Sequence, residues 1–263
     1  MSKPKILFFD IETAYITAAV WNRWNVNVSM SQVINDWYVL CWSAAWLGED
    51  YVMSDALHYH RARYKKDPTD DTEILKSIWK LLDEADVVIG HNGDRFDYPK
   101  LYARFIKIGL QPPSPSVKLD TLKMAKRNFK FTSNRLDDLG EYLDVGRKLP
   151  TNFGLWSAII ENQDRAKFDE MVKYCEQDVE LLEQVYFKLQ PWDKRHPGFN
   201  LFDPSFKQCN SCGSVNIKKN GFFLTVSGRT EKYQCLDCGH HMKGNKVTDK
   251  NSKKQKANIL RSI

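Results

Sequence analysis

Two carboxylates stand two residues apart in KILFFDIET, where Asp10 and Glu12 interrupt an otherwise apolar run. In a strand, residues i and i+2 project from the same face, so the two acids would stand side by side and each would disfavour ionisation of the other. Ile6, Leu7, Phe8, Phe9 and Ile11 make both faces apolar, the pattern of a central strand. Carboxylates in that setting need compensation, and a divalent cation is the usual compensator. A lone D-x-E triplet is more often a strand end with a solvated acid, so other acids must decide.

A second acidic site is GHNGDRFDYPK, residues 90–100, which begins where the run ADVVIG ends and leads into YPKLYARFIKIGL. Pro99 suits the first turn of a helix, which puts Asp97 near a helix N-terminus, where capping is an equally good account of it. Asp94 follows Gly93 in the turn and is expected to face solvent. His91 is expected to make a hydrogen bond in preference to a metal bond. The third site is KYCEQDVELL, residues 173–182. Tyr174 and Asp178 are four apart and share a helical face, beside a stripe of Phe168, Met171, Cys175, Val179 and Leu182.

These sites need a frame. Strand-like runs at 38–47 and 86–90 alternate with helical patterns at 72–84, 98–109, 135–143 and 165–189, and there is no internal repeat. The mixture predicts an α/β fold. At 263 residues the chain can hold one large core and a small second module. The sequence shows no run of the length of a membrane span and no separate signal segment, so an intracellular, cytoplasmic protein is expected, with six cysteines pointing to metal or free thiols before disulfides. Residues 190–205, QPWDKRHPGFNLFDPS, read as a linker.

In order and spacing, D-x-E on a first strand, N-x3-F-D before a helix and Y-x3-D on a late helix resemble the three motifs of DEDD-type 3′→5′ exonucleases in their tyrosine-bearing branch. The segment KLDTLKMAKRNFKFTSNRLDDLGEYL, residues 118–143, is similar to the region between the second and third motifs in the proofreading domains of family B polymerases. The resemblance spans residues 4 to about 190 and implies an RNase H-like mixed central sheet flanked by helices, with the site at strand ends. It implies two Mg²⁺ or Mn²⁺ ions held by Asp10, Glu12, Asp97 and Asp178, with Asp10 bridging. Two such ions, about 4 Å apart, activate a water and stabilise the charge on the phosphoryl and leaving oxygens. Tyr174 is implied to orient the water, and Asn92 and Phe96 to contact the terminal nucleotide. The activity implied is hydrolysis at DNA 3′ ends, single-stranded by preference. A 3′→5′ exoribonuclease and an inert nucleic-acid-binding protein are the alternatives.

The C-terminal part has its own signature. CNSC at 209–212 and CLDC at 235–238 are two C-x2-C pairs, each followed by a glycine, a spacing that resembles a zinc ribbon. Cys209, Cys212, Cys235 and Cys238 would fill one structural Zn²⁺ shell, leaving His240 and His241 outside it, while Cys41 and Cys175 are expected in the core. Residues 206–263 hold twelve Lys/Arg against three Asp/Glu, whereas residues 1–205 hold 27 against 30. The net charge of +6 thus belongs to the C-terminal module, and a polyanionic partner is the natural inference. The ribbon also resembles those at the start of some transposases, which favours DNA over RNA as the nucleic acid. The expected organisation is an exonuclease domain at 1–190, a linker at 191–205, a zinc ribbon at 206–245 and a basic flexible tail at 246–263. A freestanding enzyme of replication, recombination or repair, working beside other replication or repair proteins and virus-encoded, fits the lack of a polymerase domain.

Overall fold

A computed structural model describes residues 4–201, 207–225 and 228–246. The chain divides into two compact units, Pro4–Lys188 and the part from Leu189 onward. Almost all of the expected basic tail lies outside the described residues.

In the first unit the chain runs β1 (Ile6–Thr13), the short β2 (Thr17–Ala18) and β3 (Val33–Asn35), then β4 (Val39–Trp46) and β5 (Met53–Ala56). Helices α1 (Arg61–Lys66) and α2 (Thr72–Glu84) lead to β6 (Val87–Gly90), α3 (Asp97–Lys107), β7 (Val117–Asp120), α4 (Thr121–Asn128) and α5 (Leu136–Tyr142). Helices α6 (Phe153–Ile160) and α7 (Arg165–Leu189) follow. Five strands form one sheet in the order β5-β4-β1-β6-β7. Strands β4 and β5 run antiparallel to their neighbours, whereas β6 pairs parallel with β1 and β7, so the sheet is mixed and β1 is its centre. The fold is α/β, a mixed central sheet flanked by helices.

The double-sided apolar pattern of β1 has a direct structural cause. Phe9 meets Tyr98 of α3 with ring centroids 5.2 Å apart, while Phe8 on the other face meets Tyr186 of α7 at 5.4 Å. Asp10 and Glu12 share the face of Phe8 and therefore look toward α7. Helix α2 buries Ile74, Leu75, Ile78 and Leu82, a stripe at helical spacing. Asp71, at its N-cap, is buried, accepts the Val39 N–H at 3.0 Å and pairs with both Nε and Nη2 of buried Arg104 on α3. This bidentate pair ties the helix that begins with Asp97 to the strand beside β1. Removing one partner of such a buried pair costs about 3–5 kcal/mol.

In the second unit β8 (Ile217–Thr225), β9 (Gly228–Cys235) and β10 (His241–Lys246) form an antiparallel sheet in the order β10-β9-β8. Residues 190–201, expected to begin a linker, instead form two 3-10 turns bonded to this module. Gln190 Nε2 donates to the Ser211 carbonyl at 2.7 Å and the Phe199 N–H donates to the Asn210 carbonyl at 2.9 Å. Proline and glycine content marks turns here, and buried Gln190 and Phe199 supply the adhesion that a free linker lacks.

Candidate active site

The period of β1 and the period of α7 meet at one place. One carboxylate oxygen from each of Asp10, Glu12 and Asp178 lies within 4.8 Å of the others. Tyr174 is one turn before Asp178 and is buried, as is Asp178 itself. Between them on the helix, Cys175 presents its thiol to Asp10, with Sγ 3.6 Å from the carbonyl and 3.8 Å from Oδ2. Asp97 is the first residue of α3 and is buried, with the backbone of Ile11 bonded to its carboxylate. The capping account of Asp97 is therefore incomplete: this side chain is turned inward to β1.

Electrostatics follow from this crowding. Burial first, then the charges of Asp97, Glu12 and Asp178, push Asp10 far above the usual carboxylate range. Burial and the Asp178 charge raise Glu12 to about 8, and burial raises Asp97 to about 7. Burial raises Asp178 too, opposed by a lysine that the motifs did not indicate. Lys148 donates its ammonium to Asp178 Oδ2 and lies 3.2 Å from the Tyr174 hydroxyl. Burial alone would lower Lys148, but the charge of Asp178 outweighs it and the ammonium is held firmly. One cation against four acids leaves a deficit of positive charge.

The donor set fits divalent ions. Asp97 Oδ1 and Asp178 Oδ1 are buried and have no hydrogen-bond partner among the described residues, an arrangement that a hard cation satisfies. All the donors here are carboxylate oxygens, the kind that Mg²⁺ and Mn²⁺ prefer.

Residues 45–190 match the family model of the RNase H superfamily. The chain belongs to the RNase H superfamily of nucleases. The matched span contains Asp97, Tyr174 and Asp178, and it begins in β4, after Asp10 and Glu12. Protein NEN3 of Arabidopsis thaliana is 30% identical over 105 residues, which is 40% of this chain and 19% of that protein. The chain thus spans only about a fifth of that relative. A family B DNA polymerase from the hyperthermophilic archaeon Pyrobaculum calidifontis shares the fold, with a TM-score of 0.51 at 16% identity over 73% of this chain and 26% of that one.

Within the RNase H-like unit the other acidic-motif residues take distinct places. Asn92 adopts φ 66°, and its N–H donates to Asp120 Oδ1 at 3.0 Å. Asp120 also caps α4 through the N–H groups of Leu122 and Lys123, so a residue outside the motifs shapes the turn before Asp97. His91 bonds Thr121 Oγ1 at 2.9 Å and the Asn134 carbonyl at 3.0 Å, and burial lowers it to about 4. It is a neutral structural group. Asp94 pairs with Lys123, and Phe96 lies at the surface, 5.0 Å under the Lys100 ammonium. A cavity of about 780 Å³ opens between Asn92 and Lys148, lined also by Lys126, Ser133 and Arg135.

Lys148 is the side chain at this site that sequence reasoning missed, because it sits in a loop with no periodicity. Its N–H donates to Asp137 of α5 at 2.8 Å, and Gln177 of α7 donates to the neighbouring Arg147 carbonyl at 2.9 Å. A Cβ on Gly140 would stand 2.6 Å from the Gly146 carbonyl and 2.7 Å from Leu181 Cδ1. Glycine at that point lets α5, α7 and the Lys148 loop come together.

In the second unit Cys209, Cys212, Cys235 and Cys238 bring their sulfurs within 4.8 Å of one another. Positive φ at Gly213 and Gly239, 76° and 81°, turns the chain back after each pair. A hydrogen bond with Cys212 lowers the Cys209 thiol to about 5. Four soft sulfur donors in tetrahedral number fit zinc. His240 is engaged elsewhere, with Nδ1 2.6 Å from the Pro191 carbonyl. Cys41 and Cys175 are buried.

Proposed function

We propose that the chain is a metal-dependent 3′→5′ exonuclease of the tyrosine-bearing DEDD type, acting on DNA 3′ ends and on single strands by preference. The observation that carries this reading is the convergence of Asp10, Glu12 and Asp178 beside Tyr174, with buried carboxylate oxygens of Asp97 and Asp178 left unpartnered. Asp10, Glu12, Asp97 and Asp178 would hold two Mg²⁺ or Mn²⁺ ions, which supply water activation and stabilise charge on the phosphoryl and leaving oxygens.

The chain's own residues do the rest. Burial raises Tyr174 to about 12, so its hydroxyl keeps its proton at neutral pH. It accepts from Lys148 and donates its one proton to Asp178, which fixes the hydroxyl beside the acids; to orient an incoming oxygen it would turn that proton away from Asp178. A phenol with that pKa is an orienting group and no base. Asn92 and Phe96 would contact the terminal nucleotide, a reading supported by the left-handed turn of Asn92 and the exposure of Phe96.

The cysteine module would bind one Zn²⁺ as a ribbon and grip the strand. Its surface sets cations over aromatic rings, Lys243 over Phe223 at 3.8 Å and Lys207 over Tyr233 at 4.8 Å, a combination suited to phosphates and bases. In this reading residues 1–190 form the exonuclease domain, 206–245 the ribbon and 246–263 a basic tail. End-labelled single- and double-stranded DNA and RNA, incubated with Mg²⁺ or Mn²⁺, test the proposal. Stepwise shortening from the 3′ end of single-stranded DNA is expected. No shortening of any substrate with either ion rejects it, and activity confined to RNA rejects the DNA assignment.

A further inference from the structure

Strand β1 continues one residue past Glu12 to Thr13, and around Thr13 lies a cavity of about 360 Å³ that the acidic cluster does not use. Its walls include Tyr15, Trp37, Lys100, Phe153 and Trp156. The rings are ordered. Tyr15 and Phe153 stack with centroids 5.2 Å apart and planes at 27°, the Tyr15 hydroxyl donates to Glu161 at 2.6 Å, and the Trp156 indole N–H donates to the Thr13 carbonyl at 3.2 Å. Lys100 stands over the Trp37 ring at 4.0 Å and donates to Thr13 Oγ1 at 3.3 Å.

Phe153 is 68% exposed, so a large apolar ring is spread on the surface against a tyrosine instead of being driven into the core. Lys100 follows Asp97 by three residues on α3, so its ammonium lies on the helical face adjacent to the acidic cluster. Stacked rings and a cation lining the same cavity suit a ligand that joins flat aromatic groups through anions, which is the chemistry of a single nucleic-acid strand. Cavities of this size hold small organic groups, roughly 300–1,000 Å³ being usual.

We propose that this cavity is a base-binding subsite for the strand whose end enters the acidic cluster: one base lies on the Tyr15–Phe153 stack and Lys100 meets the adjoining phosphate. The proposal rests on the exonuclease reading and adds to it a specific contact. Stacking accepts every base, so the subsite distinguishes a base from its absence and leaves sequence unread.

The test uses the full chain with Ca²⁺ in place of Mg²⁺ or Mn²⁺, and fluorescently labelled thymidine decamers carrying one abasic site stepped back from the 3′ end. Anisotropy gives the Kd of each. One position is expected to show an abasic penalty of about ten- to a hundredfold, the weight of one base stacked on an aromatic ring. In Phe153→Ala the intact decamer should weaken by a similar factor and that penalty should vanish, while Phe153→Trp restores both. Lys100→Gln should flatten the salt dependence of Kd by about one phosphate contact. An abasic profile identical in Phe153→Ala and the parent protein overturns the subsite, as does an unchanged salt slope in Lys100→Gln. Binding is read without turnover, so absence of hydrolysis in the presence of Mg²⁺ counts against the exonuclease reading alone.

Discussion

Lys148 lays its ammonium against the carboxylate of Asp178, thirty residues further along the chain, and keeps the Tyr174 hydroxyl 3.2 Å away. One cation thus sets the orientation of a proposed metal ligand and of a proposed water-orienting phenol. Lys148→Met should reduce kcat on a single-stranded end-labelled substrate by about ten- to a hundredfold, the range expected from losing a charged hydrogen bond. Lys148→Arg should recover part of it. Steady-state kinetics with unaltered kcat in Lys148→Met would show that the contact is only structural.

Tyr174→Phe removes the hydroxyl and leaves all four acids in place. Its kcat should fall less than that of Asp10→Asn, which takes the charge from the carboxylate most strongly opposed by its neighbours. For Asp10→Asn the expected loss of activity is on the order of a thousandfold or more, given the several kcal/mol that metal-held charge stabilisation supplies. In chelator its Tm should equal or exceed that of the parent, because the amide spares the cost of folding a carboxyl that burial and its neighbours hold against ionisation. An Asp10→Asn protein that turns over normally would falsify the metal-site assignment.

Stability without metal should depend on pH in a defined direction. Burial raises Glu12 to about 8 and Asp97 to about 7, against about 4.3 and 3.9 in an unfolded chain. The folded protein therefore keeps protons that the unfolded chain has released. The stability linked to these groups is full below about pH 4 and is lost as pH rises through about 7 to 8. Melting in chelator should show Tm falling between about pH 5 and pH 8 from this source, and added Mn²⁺ should raise Tm more at the upper end, where the carboxylates are free of protons. Charge-neutral variants Glu12→Gln and Asp97→Asn should flatten that slope; if they leave it unchanged, it comes from other groups.

Elemental analysis of protein purified without added metal should give one zinc per chain, and the zinc should survive exchange of Mg²⁺ for Mn²⁺, since thiolates hold a soft ion more tightly than carboxylates hold a hard one. Cys209→Ser should lower the zinc content. Full zinc occupancy in Cys209→Ser would place the ion elsewhere.

Gly140→Ala inserts a methyl against the Gly146 carbonyl and Leu181. Overpacking of this kind costs about 1–3 kcal/mol, and because the strain falls on the Lys148 loop, activity should fall together with Tm. A variant with lowered Tm and parental kcat would separate the loop from the reaction.

Much of the frame was legible from local spacing. The apolar run around Asp10 and Glu12 announced a central strand because side chains alternate across a sheet, and β1 has α3 on one face and α7 on the other. Tyr174 and Asp178 share a face because one helical turn separates them, and each C-x2-C pair presents its two sulfurs together because it sits in a tight glycine turn. Such relations are set within a few residues and survive any packing of the rest. What no spacing announced is which distant groups answer the buried charge. Lys148 lies in a loop without period and reaches Asp178 only because Gly140 admits α5 to α7, and Asp71 meets Arg104 only because α2 and α3 lie on the same sheet. Residues 190–201 carry the composition of a linker, yet buried Gln190 and Phe199 fasten them to the cysteine module. The sequence by itself determined where the acids stand along β1, α3 and α7. The tertiary structure decided how far they are desolvated and what neutralises them, because burial and Coulomb interaction depend on distances through space that packing alone sets.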